Sequence, residues 1–80
     1  MKVRVSITRK DGLSDPEGVA TQRALLDLGY DRVADVHFGR IINLDIDDTD
    51  EAAVTAAVTT MCERLLANPV IEDYTVEVVS

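Results

Sequence analysis

The chain has 80 residues, room for a single domain spanning residues 1–80 and too little for two independent cores. Eight Lys+Arg against 15 Asp+Glu give a net charge of −7 and a pI near 4.4, which argues against broad binding to nucleic acid or to an anionic membrane surface. Hydrophobic residues are 46 % of the chain but include one Phe, two Tyr and no Trp, so the core must come from Val, Ile, Leu and Ala, and so small a core makes oligomerisation an open expectation.

Residues 2–9 alternate strictly, Val3, Val5 and Ile7 against Lys2, Arg4, Ser6 and Thr8, which predicts a half-buried strand. After a loop at residues 10–13, Asp15 and Pro16 supply a helix N-cap and a proline at the first helical position. Val19, Ala20, Ala24, Leu25 and Leu28 follow at helical spacing, and Gly29 can close the helix. Gly18, unfavourable in a first turn, signals either a close backbone approach or a tolerated glycine near a helix end.

Between Val36 and Ile46 the even positions are apolar except Arg40. No Asn-Gly or Asp-Gly turn interrupts the run, so it reads as one long middle strand of about 12 residues, roughly 40 Å, which would project from a globule of ~12 Å radius of gyration. A projecting apolar strand needs another chain to cover it. The alternative is a hairpin at Gly39-Arg40, giving a ferredoxin-like β-α-β-β-α-β monomer. Asp48 and Glu51 then fit a capping-box variant, and Val54, Ala57, Val58, Met61 and Leu65 predict the buried face of a second helix ended by Asn68-Pro69. Tyr74, Val76 and Val78 form a last strand. The expected fold is α+β, ordered β-α-β-α-β, with two helices on one face of a mainly antiparallel sheet, completed by dimerisation.

Little in this pattern carries chemistry. Cys62, the only cysteine, sits mid-helix beside Met61, where packing outweighs nucleophilic chemistry, and a lone cysteine cannot form an intramolecular disulfide. His37 has no Cys or His at ligand spacing, and neither phosphate-binding glycine pattern occurs. The acids Asp45, Asp47, Asp48, Asp50 and Glu51 lack the glycine and spacing of an EF-hand loop and read as a solvated helix cap. No catalytic, cofactor-binding or metal residue is assigned. The first ten residues carry Lys2, Arg4, Arg9 and Lys10, opposite in sign to residues 45–51, a pattern suited either to oriented protein docking or to ordinary solvated faces. With no signal-like or membrane-length apolar stretch, the chain is expected to be soluble and cytoplasmic.

Three segments together resemble the PurS family, the small subunit of phosphoribosylformylglycinamidine synthase. They are Asp15-Pro16-Glu17-Gly18 before a helix, Val36-His37-Phe38-Gly39-Arg40 in the middle, and Leu65 to Tyr74, which reads Leu-Leu-Ala-Asn-Pro-Val-Ile-Glu-Asp-Tyr. The similarity runs nearly end to end, although the family more often has Lys at position 40 and Gln at position 17. It implies a role in de novo purine synthesis, where formylglycinamide ribonucleotide, ATP and glutamine give formylglycinamidine ribonucleotide, ADP, phosphate and glutamate. It further implies a non-catalytic homodimer or higher homo-oligomer joining a synthetase (PurL), which holds ATP and Mg, to a glutaminase (PurQ), with no cofactor bound by this chain alone. On that basis Arg40, Asn68, Pro69, Glu72 and Tyr74 are expected at interfaces, with Asp15, Pro16 and Gly18 shaping the first helix start. Asp15-Pro16 and Asn68-Pro69 are equally readable as a plain helix start and stop. The rival expectation is an ACT-type regulatory module that binds a small molecule, which requires the hairpin at Gly39.

Overall fold

The alternation of Val3, Val5 and Ile7 places the first strand at the centre of the sheet. A computed structural model describing residues 1–80 shows β1 (Lys2–Arg9), α1 (Pro16–Asp27), β2 (Gly39–Asp45), α2 (Glu51–Met61), one wide π-type turn (Cys62–Leu66) and β3 (Glu72–Val78). The three strands are antiparallel in the order β2-β1-β3. Val3 lies between Leu44 and Val78, Val5 between Ile42 and Val76, and Ile7 between Arg40 and Tyr74. The strand paired on both sides is therefore the one whose apolar face is completely buried.

One face of this sheet is covered by α2. Val54, Val58 and Cys62, spaced four apart, are fully buried against Val3, Val5 and Ile7, and Ala67 closes the cluster. Asp50 caps the helix, accepting from the backbone N–H of Ala52 at 3.1 Å and of Ala53 at 3.3 Å. Asp48, expected as the cap, instead accepts from the N–H of Thr49 and Asp50 in the loop just before it. The buried face also departs from the expected one, because Ala57 and Met61 are exposed and Leu65 is 83 % exposed. Ala57 and Met61 flank the buried row of Val54, Val58 and Cys62, whereas Leu65 is turned out by the wide turn, in which the Ala67 N–H reaches back five residues to the Cys62 carbonyl at 3.1 Å. Its larger number of residues per turn rotates Leu66 toward the core and Leu65 away from it.

Two further expectations are corrected. The middle strand is seven residues long, Gly39–Asp45, and lies at an edge of the sheet. Val36, His37 and Phe38 are not part of it: the pairing with β1 ends at Thr8 opposite Gly39, and the Phe38 N–H is taken by the Asp15 carboxylate. There is no hairpin at Gly39-Arg40 either, since a single strand runs through both residues. The second correction concerns α1, which does not pack on the sheet. Gly18 is its only buried residue, and Leu28 just beyond it is 73 % exposed. The helix stands off the end of the sheet and draws the molecule out to 49 × 26 × 14 Å, with a radius of gyration of 16.1 Å against the ~12 Å of a compact chain this long. The antiparallel sheet, the two helices and the β-α-β-α-β order are as expected.

Candidate functional site

Arg40 stands on the helix-covered side of β2, in the row that continues into Ile42 and Leu44, but beyond the reach of α2. With no apolar neighbour to cover it, its side chain crosses above Ile7 to the start of β3. There Nη1 donates to Glu72 Oε2 at 2.7 Å and Nη2 to Glu72 Oε1 at 3.1 Å, a bidentate pair. The same Nη2 donates to the Leu66 carbonyl at 2.9 Å, satisfying an acceptor released by the end of the helix. Glu72 Oε1 also accepts the backbone N–H of Asn68 at 2.8 Å. One arginine thus ties β2 to the α2 terminus and to β3, two segments that never pair with it directly.

Asn68 and Pro69 make the connection between those segments. Ala67 turns extended, as a residue two before a proline-containing turn can, and the Asn68 carbonyl then accepts the N–H groups of Ile71 and Glu72. Its side-chain Oδ1 accepts the N–H of Val70 at 3.2 Å. Asn68 therefore organises the turn that delivers Glu72 to Arg40. Tyr74, two residues on along the same face, lies outside this cluster and donates its hydroxyl to Glu63 Oε1 in the wide turn.

Asp15 reaches the same end of the sheet from the other side. Its Oδ1 accepts the N–H of Gly18 at 3.0 Å, the capping bond read from the sequence, while Oδ2 accepts the N–H of Phe38 at 2.9 Å. Gly18 is required by space: a Cβ there would overlap the Val36 carbonyl oxygen. Pro16 opens the helix as expected.

Arg9, Asp15, Glu17, Phe38, Arg40 and Glu72 line an open cleft of about 250 Å³ between the base of α1 and the end of the sheet. The structure accordingly brings Asp15, Arg40 and Glu72 together, with Asn68 and Gly18 in direct support, and leaves Tyr74 apart. Arg9, Glu17 and Phe38 join the cleft although in the sequence they stand out only within a charge patch or a motif and not as site residues. Arg9 carried a usable signal, since it continues the inward row of Val3, Val5 and Ile7 by one step as a charge.

The charge states here are fixed rather than poised. The Arg40 guanidinium, and after it the Asn68 N–H, hold the Glu72 carboxyl below the ordinary glutamate range. The N–H groups of Phe38 and Gly18 do the same for Asp15. Donation to the Glu63 carboxylate pushes the Tyr74 phenol up to about 12, and burial raises the Cys62 thiol. The two carboxylates of the cleft are thereby held ionised at pH 7, while the Tyr74 phenol and the Cys62 thiol outside it are held neutral. The contacts around the cleft hold α1, β2, the end of α2 and β3 in register. The contrasting charges noted at the N-terminus and at residues 45–51 are in part neighbours, since Lys2 sits opposite Asp45; Arg4 pairs instead with Glu77 of β3, at 3.5 Å.

Comparison with known proteins extends over the whole of this geometry. Residues 2–80 match the family model described as PurS, phosphoribosylformylglycinamidine (FGAM) synthase. The PurS subunit of that synthase from Bacillus subtilis is 44 % identical over 77 residues, covering 96 % of this chain and 90 % of that protein. The Synechocystis PurS subunit is 43 % identical over 75 residues, 94 % of this chain and 75 % of that one. Among solved structures, Bacillus subtilis PurS superposes with a TM-score of 0.88 at 43 % identity, covering 99 % of this chain and 98 % of its own. A chain in the structure of PurLQS from Thermotoga maritima gives a TM-score of 0.86 at 28 % identity, with 95 % and 93 % covered.

Proposed function

The chain belongs to the PurS family and is a subunit of FGAM synthase, in purine biosynthesis; from that premise we propose that it acts there as a two-fold symmetric, non-catalytic bridge between the synthetase and glutaminase subunits. The overall reaction consumes formylglycinamide ribonucleotide, ATP, glutamine and water and releases formylglycinamidine ribonucleotide, ADP, phosphate and glutamate. In this reading ATP and Mg are held by the synthetase, ammonia is released by the glutaminase, and the small subunit keeps the path between them closed to bulk water. Closure matters because free ammonia is protonated at neutral pH and loses its lone pair. The PurLQS assembly of Thermotoga maritima, which contains a chain of this fold, supports a place in such a complex.

The observation that carries the reading is the position of β2. It is an edge strand, unpaired on its outer side, with Ile41 57 % exposed and Phe38 also exposed at its start. An apolar edge is a template for another strand, and a second copy of β2 supplies one by symmetry. Arg40, Asn68, Pro69, Glu72 and Tyr74 are proposed to shape the end of the subunit that meets the larger partners, with Asp15, Pro16 and Gly18 setting the base of α1 beside them. The ACT-type alternative loses its premise, since the hairpin it needs is absent from Gly39–Asp45. No helix is long and apolar enough to cross a membrane, and we place the protein in the cytoplasm with its pathway.

Sedimentation at micromolar concentration tests the two-fold assembly: a species near twice 8.7 kDa is expected, and a species of 8.7 kDa alone overturns it. Reconstitution tests the bridge. Omitting this chain should abolish glutamine-dependent synthesis while sparing synthesis from added ammonium salt; equal loss of both would refute a role in ammonia transfer.

A further inference from the structure

We propose that Asp15, Gly18 and Gln22 fasten the returning segment Val33–Phe38 along α1, so that helix and segment form one rigid arm that unlocks from within while the body of the subunit stays folded. The three residues follow at intervals of three and four, which puts them on one face of the helix. They meet the returning chain in antiparallel order. Gln22, farthest along the helix, donates through Nε2 to the carbonyls of Val33, at 3.2 Å, and Ala34. Gly18, one turn earlier, leaves just enough room for the Val36 carbonyl. Asp15, at the base, takes the N–H of Phe38 at 2.9 Å. The seam therefore runs 22 to 33–34, 18 to 36 and 15 to 38.

The arm is not anchored in the core of the body. The hydrophobic core is made of Val3, Val5, Ile7, Val54, Val58, Cys62 and Ala67, and no residue between 15 and 38 belongs to it. On the arm, Val19, Leu26, Leu28 and Tyr30 are exposed, and Leu25, Val33 and Val36 are no more than half-buried. A segment held by a few polar contacts and remote from the core opens at lower free energy than the whole domain, as a separate cooperative unit. Gln22 is thereby a positioning residue for α1. A polar side chain within an amphipathic helix would otherwise pass for a solvated face.

Hydrogen exchange on the full chain at neutral pH tests this, comparing wild type with Gln22→Ala and with Gln22→Glu, which keeps the side-chain length but donates no hydrogen bond when ionised. In both variants, amides of residues 19–38 should exchange about tenfold faster or more, while those of β1, α2 and β3 stay within about twofold of wild type. Acceleration spread evenly over arm and body would overturn the proposal, because the two would then open as one unit. Unchanged exchange in the arm of both variants would overturn it equally, because the Gln22 contacts would not be holding the seam.

Discussion

Removing the Arg40 guanidinium isolates the contribution of the cluster that joins three segments of the chain. In Arg40→Ala, two hydrogen bonds to Glu72 and one to the Leu66 carbonyl disappear together. Hydrogen bonds to charged groups contribute about 1.5–3 kcal/mol each when shielded from water, whereas exposed ion pairs contribute about 0–1 kcal/mol. The Arg40 side chain is 51 % exposed and that of Glu72 only 12 %, so solvent screening discounts the sum heavily. A net loss of about 1–2 kcal/mol follows, or roughly 6–12 °C in Tm for a domain of this size. The effect must also depend on pH. Arg40 lowers the Glu72 pKa in the folded chain, so this stabilisation is complete above the ordinary glutamate value, about 4.3, and is lost as the pH falls through the depressed one. Thermal unfolding followed by circular dichroism at fixed protein concentration, from neutral pH down to about pH 2, should show the gap between wild type and Arg40→Ala narrowing below about pH 4. A gap of the same size across that range would refute the ionic account and leave only lost packing of the arginine stem. No gap at any pH would refute the cluster as a contributor to stability.

Val58 is fully buried at the centre of the α2 face, and Val58→Ala should cost about 2 kcal/mol through lost burial and the cavity left behind, read as a fall of roughly 12 °C in Tm. Cys62, equally buried and with its thiol pKa raised, should react with a thiol-specific reagent only as fast as the core opens, and at once in denaturant. In an ultraviolet titration the Tyr74 phenol should ionise near 12, and Glu63→Gln should bring it down toward the ordinary value of about 10; an unmoved transition would deny the Tyr74–Glu63 hydrogen bond.

Legibility from sequence followed how local the governing interactions are. The alternation of Val3, Val5 and Ile7 was sufficient to place a strand, and two-sided pairing explains why every one of those residues is buried. The Asp15 cap was readable for the same reason, since its bond to Gly18 spans three residues. Its second bond, to Phe38, spans twenty-three and was invisible. That one contact removes Phe38 from the ladder and shortens the middle strand, which periodicity alone had carried back to Val36. The phase of α2 failed at a comparable place. Regular 3.6-residue spacing put Leu65 inside, and a single wide turn put it outside. Among the candidate site residues, Arg40 announced itself as a charge in an apolar row, but its partner Glu72 was named through family resemblance. Gln22 gave no sign, because its acceptors are backbone carbonyls that carry no side-chain signature.

The central place of β1 bears on how the chain is made. β1, translated before both of its neighbours, is flanked in the sheet by β2 and by β3, and the β3 contacts span from 63 positions, Arg9 with Glu72, to 75, Val3 with Val78. Until β3 leaves the ribosome, one edge of β1 stays open and its apolar row has no strand on that side. Closing loops of that length delays folding, so a nascent chain of this kind exposes a sticky β-edge for most of its synthesis. Loss of even a few residues from β3 strikes the central strand, because β3 is one of its two neighbours.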